Sequence, residues 1–187
     1  MTRKGVAITS ELGIILLTIL VVLVVFLAVV PYLMGEDAGP KTPYDHIIKI
    51  VSGEYRVESV LIKAMMKAGS DFDPALSGER TGLMAITQRM INDLKSGESS
   101  SFCKKMEVSD PADPEQNIGA GTCYFSYLLD RYNNNKLQAL VAYHWEPSKL
   151  DGVGKDTERA PSASQNYAKN VMGFYDEYRK GIGWDFG

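Results

Sequence analysis

The sequence predicts a mainly α-helical protein in two parts, a single long N-terminal transmembrane helix and a helical domain outside the membrane. Three observations predict this fold class. The 187-residue chain contains an uncharged run of 23 residues, Leu12 to Met34, near its N-terminus. Beyond residue 44, apolar residues recur at the three- and four-residue spacing of amphipathic helices. Helix-start signals such as Asp113-Pro114 and polar clusters such as residues 133–135 divide these stretches into separate helices.

The N-terminal run is long enough to span a lipid bilayer. At 1.5 Å per residue, 23 helical residues measure about 34 Å, against about 30 Å for the hydrocarbon core of a bilayer. Two basic residues precede the run and two acidic residues follow it, so the positive-inside rule places the N-terminus in the cytoplasm. Residues 1–34 are therefore predicted to be the cytoplasmic tip and single-pass anchor of a cell-membrane protein. A cleaved secretory signal is the alternative, although its apolar core normally has about 7–15 residues.

The first residues of the chain allow a further interpretation. The segment RKGVAITSE, residues 3–11, resembles the leader of type IV pilin-like proteins, which are cut after the glycine and assembled through the apolar helix. The resemblance implies cleavage between Gly5 and Val6, with Glu11 pairing with the amine of a neighbouring subunit. Glu11 would be the sixth mature residue, whereas the usual pattern has the fifth. The alternative is that Glu11 marks the membrane boundary.

The elements after the membrane run follow from spacing and turn residues. Two glycines and two prolines predict a linker over residues 35–43. Apolar positions at helical spacing predict helices over residues 44–51 and 57–67. Residues 71–86 contain Pro74, Gly78 and Gly82 and are predicted to be a loop that can hold a small β-hairpin.

Capping residues place the later helices. Thr87 is predicted to cap a helix that ends near residue 94. Asp113, with a proline at the first turn and a glutamine three residues after the cap, predicts a helix that continues to about residue 132. The remaining predictions are helices over residues 137–143 and 164–180, a long loop over 146–162 and a tail over 181–187.

Composition limits the partners and cofactors. Residues 1–35 carry a net charge of +1, so residues 36–187 carry −4 within the chain's total of −3, and this acidic body excludes a nucleic-acid partner. Outside the membrane, Cys103 and Cys123 can form a disulfide worth roughly 3 kcal/mol, and two unpaired core cysteines are the alternative. His46 and His144 lack ligand spacing with the cysteines, so neither a metal nor another cofactor is predicted.

Four segments of the domain occur in a familiar order. They are VLIKAMMKAGSDFDP at 60–74, GLMAIT at 82–87, DPEQNIGAG at 113–121 and AYHWEP at 142–147. They resemble, in order, a helix leading into E-S-x-F-x-P, then G-L-M-Q-I-T, D-P-x-x-N-I-x-x-G and A-Y-N-A-G-P of the lysozyme-like domain of soluble lytic transglycosylases and goose-type lysozymes. The resemblance implies a two-lobed helical domain over residues 44–180 with a glycan-binding groove between its lobes.

The resemblance also implies which residues form the site. The family's reaction depends on a glutamate directly before S-x-F-x-P, whose pKa must be raised so that it can protonate the glycosidic oxygen. That position is Gly69 here, Ala85 replaces the cleft glutamine, and His144 replaces the asparagine after A-Y. The groove residues carried over are Ser70, Met84, Tyr143, His144 and Trp145.

Another acid would have to lie within hydrogen-bonding reach of the bond to be cleaved. Asp71 and Glu146 are the candidates, together with Glu79 in the predicted loop. We therefore predict a membrane-anchored pseudoenzyme with a structural, assembly or glycan-contacting role in the cell envelope. The alternatives are an active membrane-bound lytic transglycosylase with a relocated acid, and a pilin-like filament subunit with a lysozyme-like head. The partners predicted are the lipid bilayer, a cell-wall or surface glycan, and copies of this chain or other envelope proteins bound through the apolar helix.

Overall fold

The computed structural model describes residues 13–25, 39–104 and 106–180 of a chain that divides into two units, Met1–Glu36 and Asp37–Gly187. In the first unit, helix α1 covers residues 13–25, and its side chains are exposed. None of the helices within the described residues is both long and apolar enough to cross a membrane. This finding contradicts the predicted single-pass transmembrane helix; the described helical residues, 13–25, account for about 20 Å at 1.5 Å per residue.

The predictions for the two ends of the chain lie outside the described residues. Gly5, Val6 and Glu11, on which the pilin-like interpretation depends, belong to this group, as does the predicted tail over residues 181–187. Their roles stay predictions.

The second unit is built from helices, as predicted. Its elements are α2 (Asp45–Tyr55), α3 (Ser59–Ser70), α4 (Gln88–Ser96), α5 (Pro114–Arg131), α6 (Lys136–Trp145), α7 (Pro147–Gly152), the 3-10 helix Thr157–Arg159 and α8 (Ser162–Lys180). The prediction of a loop over residues 146–162 was wrong in its first part. Pro147 is suited to a first helical turn, and the fully buried side chain of Leu150 fixes α7 to the core.

Side-chain caps begin three of these helices, two of them, at Thr87 and Asp113, as predicted, and the third at Asn135, which was predicted only to end the preceding helix. Thr87, Asp113 and Asn135 each accept a hydrogen bond from the backbone N–H three residues later, at 3.2, 2.9 and 3.1 Å. The capping box expected at Asp113 does not form. The Gln116 side chain accepts instead from the backbone N–H groups of Ser109 and Asp110, so it orders the preceding loop.

The helices enclose one core. Helix α8 packs against α3 and α6, α5 packs against α2 and α6, and α7 packs against α6. The loop over residues 71–86 crosses this core with an isolated antiparallel bridge between Thr81 and Ile86 in place of the predicted hairpin. Gly82 has φ +67°, a left-handed conformation that favours glycine, and it turns the chain so that Leu83 and Met84 are buried.

The predicted disulfide is present. Cys103 and Cys123 are bonded, and both residues are buried. The bond links the segment after α4 to α5, which carries one of the family-like motifs.

Candidate functional site

A groove of about 380 Å³ lies where the motif-bearing segments meet. It is formed by the loop before α4, the first turn of α4, the end of α6 and the starts of α7 and α8. The residues that line it are Glu79, Arg80, Thr87, Arg89, Met90, Tyr143, His144, Trp145, Glu146, Lys149 and Ser164. A cavity of about 510 Å³ beside the disulfide shares none of them. The smaller groove is the candidate site because four residues of the AYHWEP motif line it.

Position 69, where the resemblance expects the acid, lies in the last turn of α3. A Cβ atom there would be 3.2 Å from the Cβ of Ala85 and 3.8 Å from Cε2 of Tyr167. The first distance is shorter than an ordinary van der Waals contact, so a larger residue would push against Ala85. Glycine itself offers no proton donor at this position.

Asp71 lies outside the groove. It ends α3 with φ 56°, its side chain is 76% exposed, and it forms an ion pair with Lys67 one turn earlier. Exposed ion pairs of this kind contribute little to stability, and the exposed setting lacks the apolar surroundings that a general acid needs. The contacts of Asp71 are those of a helix-terminating residue.

Glu146 lines the groove between α6 and α7. Its backbone has φ 115° and ψ 134°, a region that residues with a side chain rarely adopt. Its carboxylate lies 2.9 Å from Nζ of Lys149 and 3.8 Å from Nε of Arg89. The carboxylate is therefore engaged by two neighbouring cations at the groove surface. Glu79, the third candidate, lines the same groove from an exposed loop position.

His144 and Trp145 are half-buried side chains at the end of α6, where a ligand in the groove can reach them. Nδ1 of His144 is 3.0 Å from Oγ of Ser164, and the ring centroid is 4.9 Å from that of Tyr167. Burial, followed by the charge of Arg80, lowers the pKa of His144 to about 4. The imidazole is therefore neutral near pH 7.

Below the groove, buried polar groups fix the loop before α4. The Oδ1 atom of Asn117 accepts from the backbone N–H of Met84 at 2.7 Å, and its Nδ2 donates to the carbonyls of Thr81 and Pro111 at 2.8 and 2.7 Å. Ser70 Oγ donates to a carbonyl of the same loop at 2.8 Å. Tyr143, only 1% exposed, donates through its hydroxyl to the carbonyl of Met84 at 2.8 Å. We call Ser70, Met84, Asn117 and Tyr143 the supporting layer.

This arrangement divides the residues that the resemblance assigned to the groove. His144 and Trp145 lie on its surface, and Tyr143 forms its buried floor. Ser70 and Met84 are not among the lining residues: Ser70 donates to the loop, and Met84 belongs to the loop and is held by Asn117.

Arg80 is a groove residue that the sequence analysis missed. Its guanidinium donates to the carbonyl of Ala85 at 3.2 Å and to the carbonyl of His144 at 2.6 Å, joining the loop to the end of α6. In the sequence it is one basic residue in a loop rich in glycine and charge. Nothing there distinguishes it from a solvated side chain.

Comparison with known proteins identifies the domain. Residues 46–166 match the family model described as the transglycosylase SLT domain. The chain is 28% identical over 155 residues to membrane-bound lytic murein transglycosylase C of Yersinia enterocolitica, covering 79% of this chain and 41% of that protein. It is 35% identical over 96 residues to the protein of the same name from Pectobacterium atrosepticum, covering 48% of this chain and 25% of that one. The chain thus spans less than half the length of these relatives.

Solved structures confirm the helical lysozyme-like fold. The 70-kDa soluble lytic transglycosylase of Escherichia coli superimposes with a TM-score of 0.62 at 22% identity, over 75% of this chain and 24% of that one. The complex of the 70-kDa soluble lytic transglycosylase with bulgecin A gives a TM-score of 0.64 at 20% identity, over 75% and 25%. Since the family model matches residues 46–166, well over half of the sequence, this chain belongs to the SLT transglycosylase domain family.

Proposed function

We propose that this chain is a cell-envelope protein whose SLT domain contacts cell-wall glycan through the groove and does not cleave it by the glutamate-dependent route. The observation that carries the proposal is the glycine at position 69. Cleavage of a glycosidic bond needs a donor that protonates the departing oxygen, and glycine has none.

Two groups of observations support contact with a glycan in the envelope. The matched relatives are named as murein transglycosylases, and two of them as membrane-bound. The half-buried ring of Trp145 and the imidazole of His144 offer an apolar face and a hydrogen-bonding edge to a sugar. The Cys103–Cys123 disulfide fits an oxidising compartment outside the cytoplasm.

One observation favours a second candidate function. Glu146 places a carboxylate in the groove, so an active lytic transglycosylase with a relocated acid is the alternative. That carboxylate is already engaged by Lys149 and Arg89.

Sedimentation with purified peptidoglycan sacculi separates the two functions. We expect the full-length chain to co-sediment with sacculi without releasing soluble fragments, and the Trp145→Ala variant to co-sediment less. A chain that stays in the supernatant contradicts glycan contact. Fragment release that is lost in Glu146→Gln or Asp71→Asn supports the enzyme.

Two isosteric substitutions at position 69 test whether only the acid is missing. Gly69→Glu and Gly69→Gln push equally against Ala85, but only the glutamate can donate a proton. We expect fragment release by Gly69→Glu alone. If both variants are inert while both still co-sediment, the groove differs from an active one in more than the missing acid.

A further inference from the structure

Arg80 brings a positive charge to the part of the groove nearest position 69. Its guanidinium donates to the carbonyl of Ala85, whose side chain faces Gly69, and to the carbonyl of His144 on the opposite wall. Both contacts are with the main chain, so the cation is held in place by neutral groups. A guanidinium has five N–H donors, and donors remain for a ligand.

The surroundings do not neutralise this charge. Among the residues that the structure describes, no ion pair involves Arg80. Position 69 has no carboxylate, and the nearby imidazole of His144 is neutral near pH 7. The charge of Arg80 acts on three neighbouring side chains. It lowers the pKa of His144 in the same direction as burial does, and it opposes the rise in pKa that burial causes at Tyr143 and Tyr167.

The other charged residues of the groove leave it with an excess of positive charge. Lys149 and Arg89 share the carboxylate of Glu146, and Glu79 is exposed on the loop. The groove lining therefore contains three cations and two carboxylates. This local excess of positive charge occurs in a body, residues 36–187, whose net charge is −4.

We propose that Arg80 binds a carboxylate of the sugar chain, so that the groove selects glycans whose sugars carry free carboxylates. The guanidinium fork matches the two oxygens of a carboxylate, and such charge-assisted pairs are about twice as strong as neutral hydrogen bonds. This inference rests on the glycan contact proposed above. In a cell wall whose peptides are attached through sugar carboxyl groups, hydrolysis of that amide bond is the reaction class that supplies such strands.

Matched ligands test the inference on the unaltered protein. Cell-wall glycan strands freed of peptide by an amidase are compared with the same strands after their carboxylates have been converted to amides. We expect the full-length chain to bind the carboxylate form at least tenfold more tightly in fluorescence anisotropy, because amidation removes the ionic partner of Arg80. Equal affinity for the two forms overturns the inference and leaves glycan contact standing. Absence of binding to either form overturns both.

A pair of charge-removing variants locates the effect. In Arg80→Gln the preference for the carboxylate form should fall to less than threefold, because the amide group can still donate hydrogen bonds but carries no charge. Lys95→Gln removes the same charge from an exposed position of α4 that does not line the groove, and it should keep the full preference. If Arg80→Gln keeps the tenfold preference, another cation carries it and the assignment to Arg80 is wrong. Arg80→Lys, which retains the charge, should keep a reduced preference and serves if Arg80→Gln does not fold.

Discussion

Asn117 in the supporting layer and Glu146 on the groove surface are polar residues of two neighbouring motifs. They differ in burial, in backbone conformation and in the groups to which their side chains bond. The Asn117 side chain is fully buried, and its oxygen and both its amide hydrogens are bonded to the main chain. Glu146 is half-buried and holds a backbone conformation suited to glycine, and its carboxylate pairs with side-chain cations at the rim. Asn117 therefore stabilises the fold, whereas the strained backbone of Glu146 costs about 1–3 kcal/mol of stability.

The difference distinguishes the buried residues that hold the loop before α4 from the residues that a ligand in the groove can reach. In the supporting layer, Asn117 and Tyr143 match the family-like motifs and fix the loop before α4. Arg80 and Glu146 bring charged side chains to the groove surface, and the residue at position 69 is a glycine. A strained residue persists only where surrounding structure holds it, and such residues cluster at ligand sites. Substitutions in the two regions should therefore change the free energy of unfolding by different amounts and in different directions.

The largest effect is expected from Asn117→Ala. The change removes three hydrogen bonds of 2.7–2.8 Å, which satisfy the buried N–H of Met84 and the part-buried carbonyls of Thr81 and Pro111. The Thr81 carbonyl keeps one partner, the N–H of Ile86. We expect the free energy of unfolding to fall by about 3–5 kcal/mol. Urea unfolding of the full-length chain, followed by circular dichroism, measures it.

Asn92→Ala is the control for this prediction. Asn92 is exposed on α4 and accepts one hydrogen bond from Gln88, so its loss should change the free energy of unfolding by no more than about 0.5 kcal/mol. A loss below about 1 kcal/mol for Asn117→Ala would mean that the supporting layer does not fix the loop.

A smaller effect, of unusual sign, is expected at Glu146. Glu146→Ala and Glu146→Gly remove the same carboxylate, but only glycine accepts φ 115° without strain. The glycine variant should be more stable than the alanine variant by about 1–2 kcal/mol. At Asn170, exposed within α8, the same pair should show alanine favoured by about 1 kcal/mol. An alanine preference at both positions would show that Glu146 is unstrained.

The sequence was sufficient for most of the scaffold. Capping at Thr87 and Asp113 and apolar spacing located the helices of the second unit, because these signals act within one turn. Helix α7 was missed because it has only six residues, and its stability comes from burial of Leu150. The transmembrane helix was predicted from composition over 23 residues, and none of the helices in the described part of the chain is both long and apolar enough to cross a membrane.

Local patterns were less informative about the site. The loss of the acid at position 69 could be read from the motif, and so could the presence of His144 and Trp145. The separation of Ser70 and Met84 from the groove could not, because it depends on which side of the loop meets Asn117, 33 residues away from Met84. Arg80 was missed for the same reason, since its carbonyl partner at His144 is 64 residues away. Long-range hydrogen bonds of this kind leave no periodic signal.

The smallest expected effect is a pH dependence of stability that comes from His144 and not from His46. The folded-state pKa of His144, about 4, lies below the value of about 6.5 expected in the unfolded chain, so the unfolded chain binds more protons between these values. The stability contributed by neutral His144 is present above pH 6.5 and is lost as the pH falls towards 4. Because the side chain is half-buried, water screens part of the effect, and we expect a loss of about 1 kcal/mol between pH 7 and pH 4.5. That part of the pH dependence should vanish in His144→Gln and persist in His46→Gln, whose position on α2 is exposed. Equal pH dependence of urea unfolding in the two variants would mean that His144 does not cause this loss of stability.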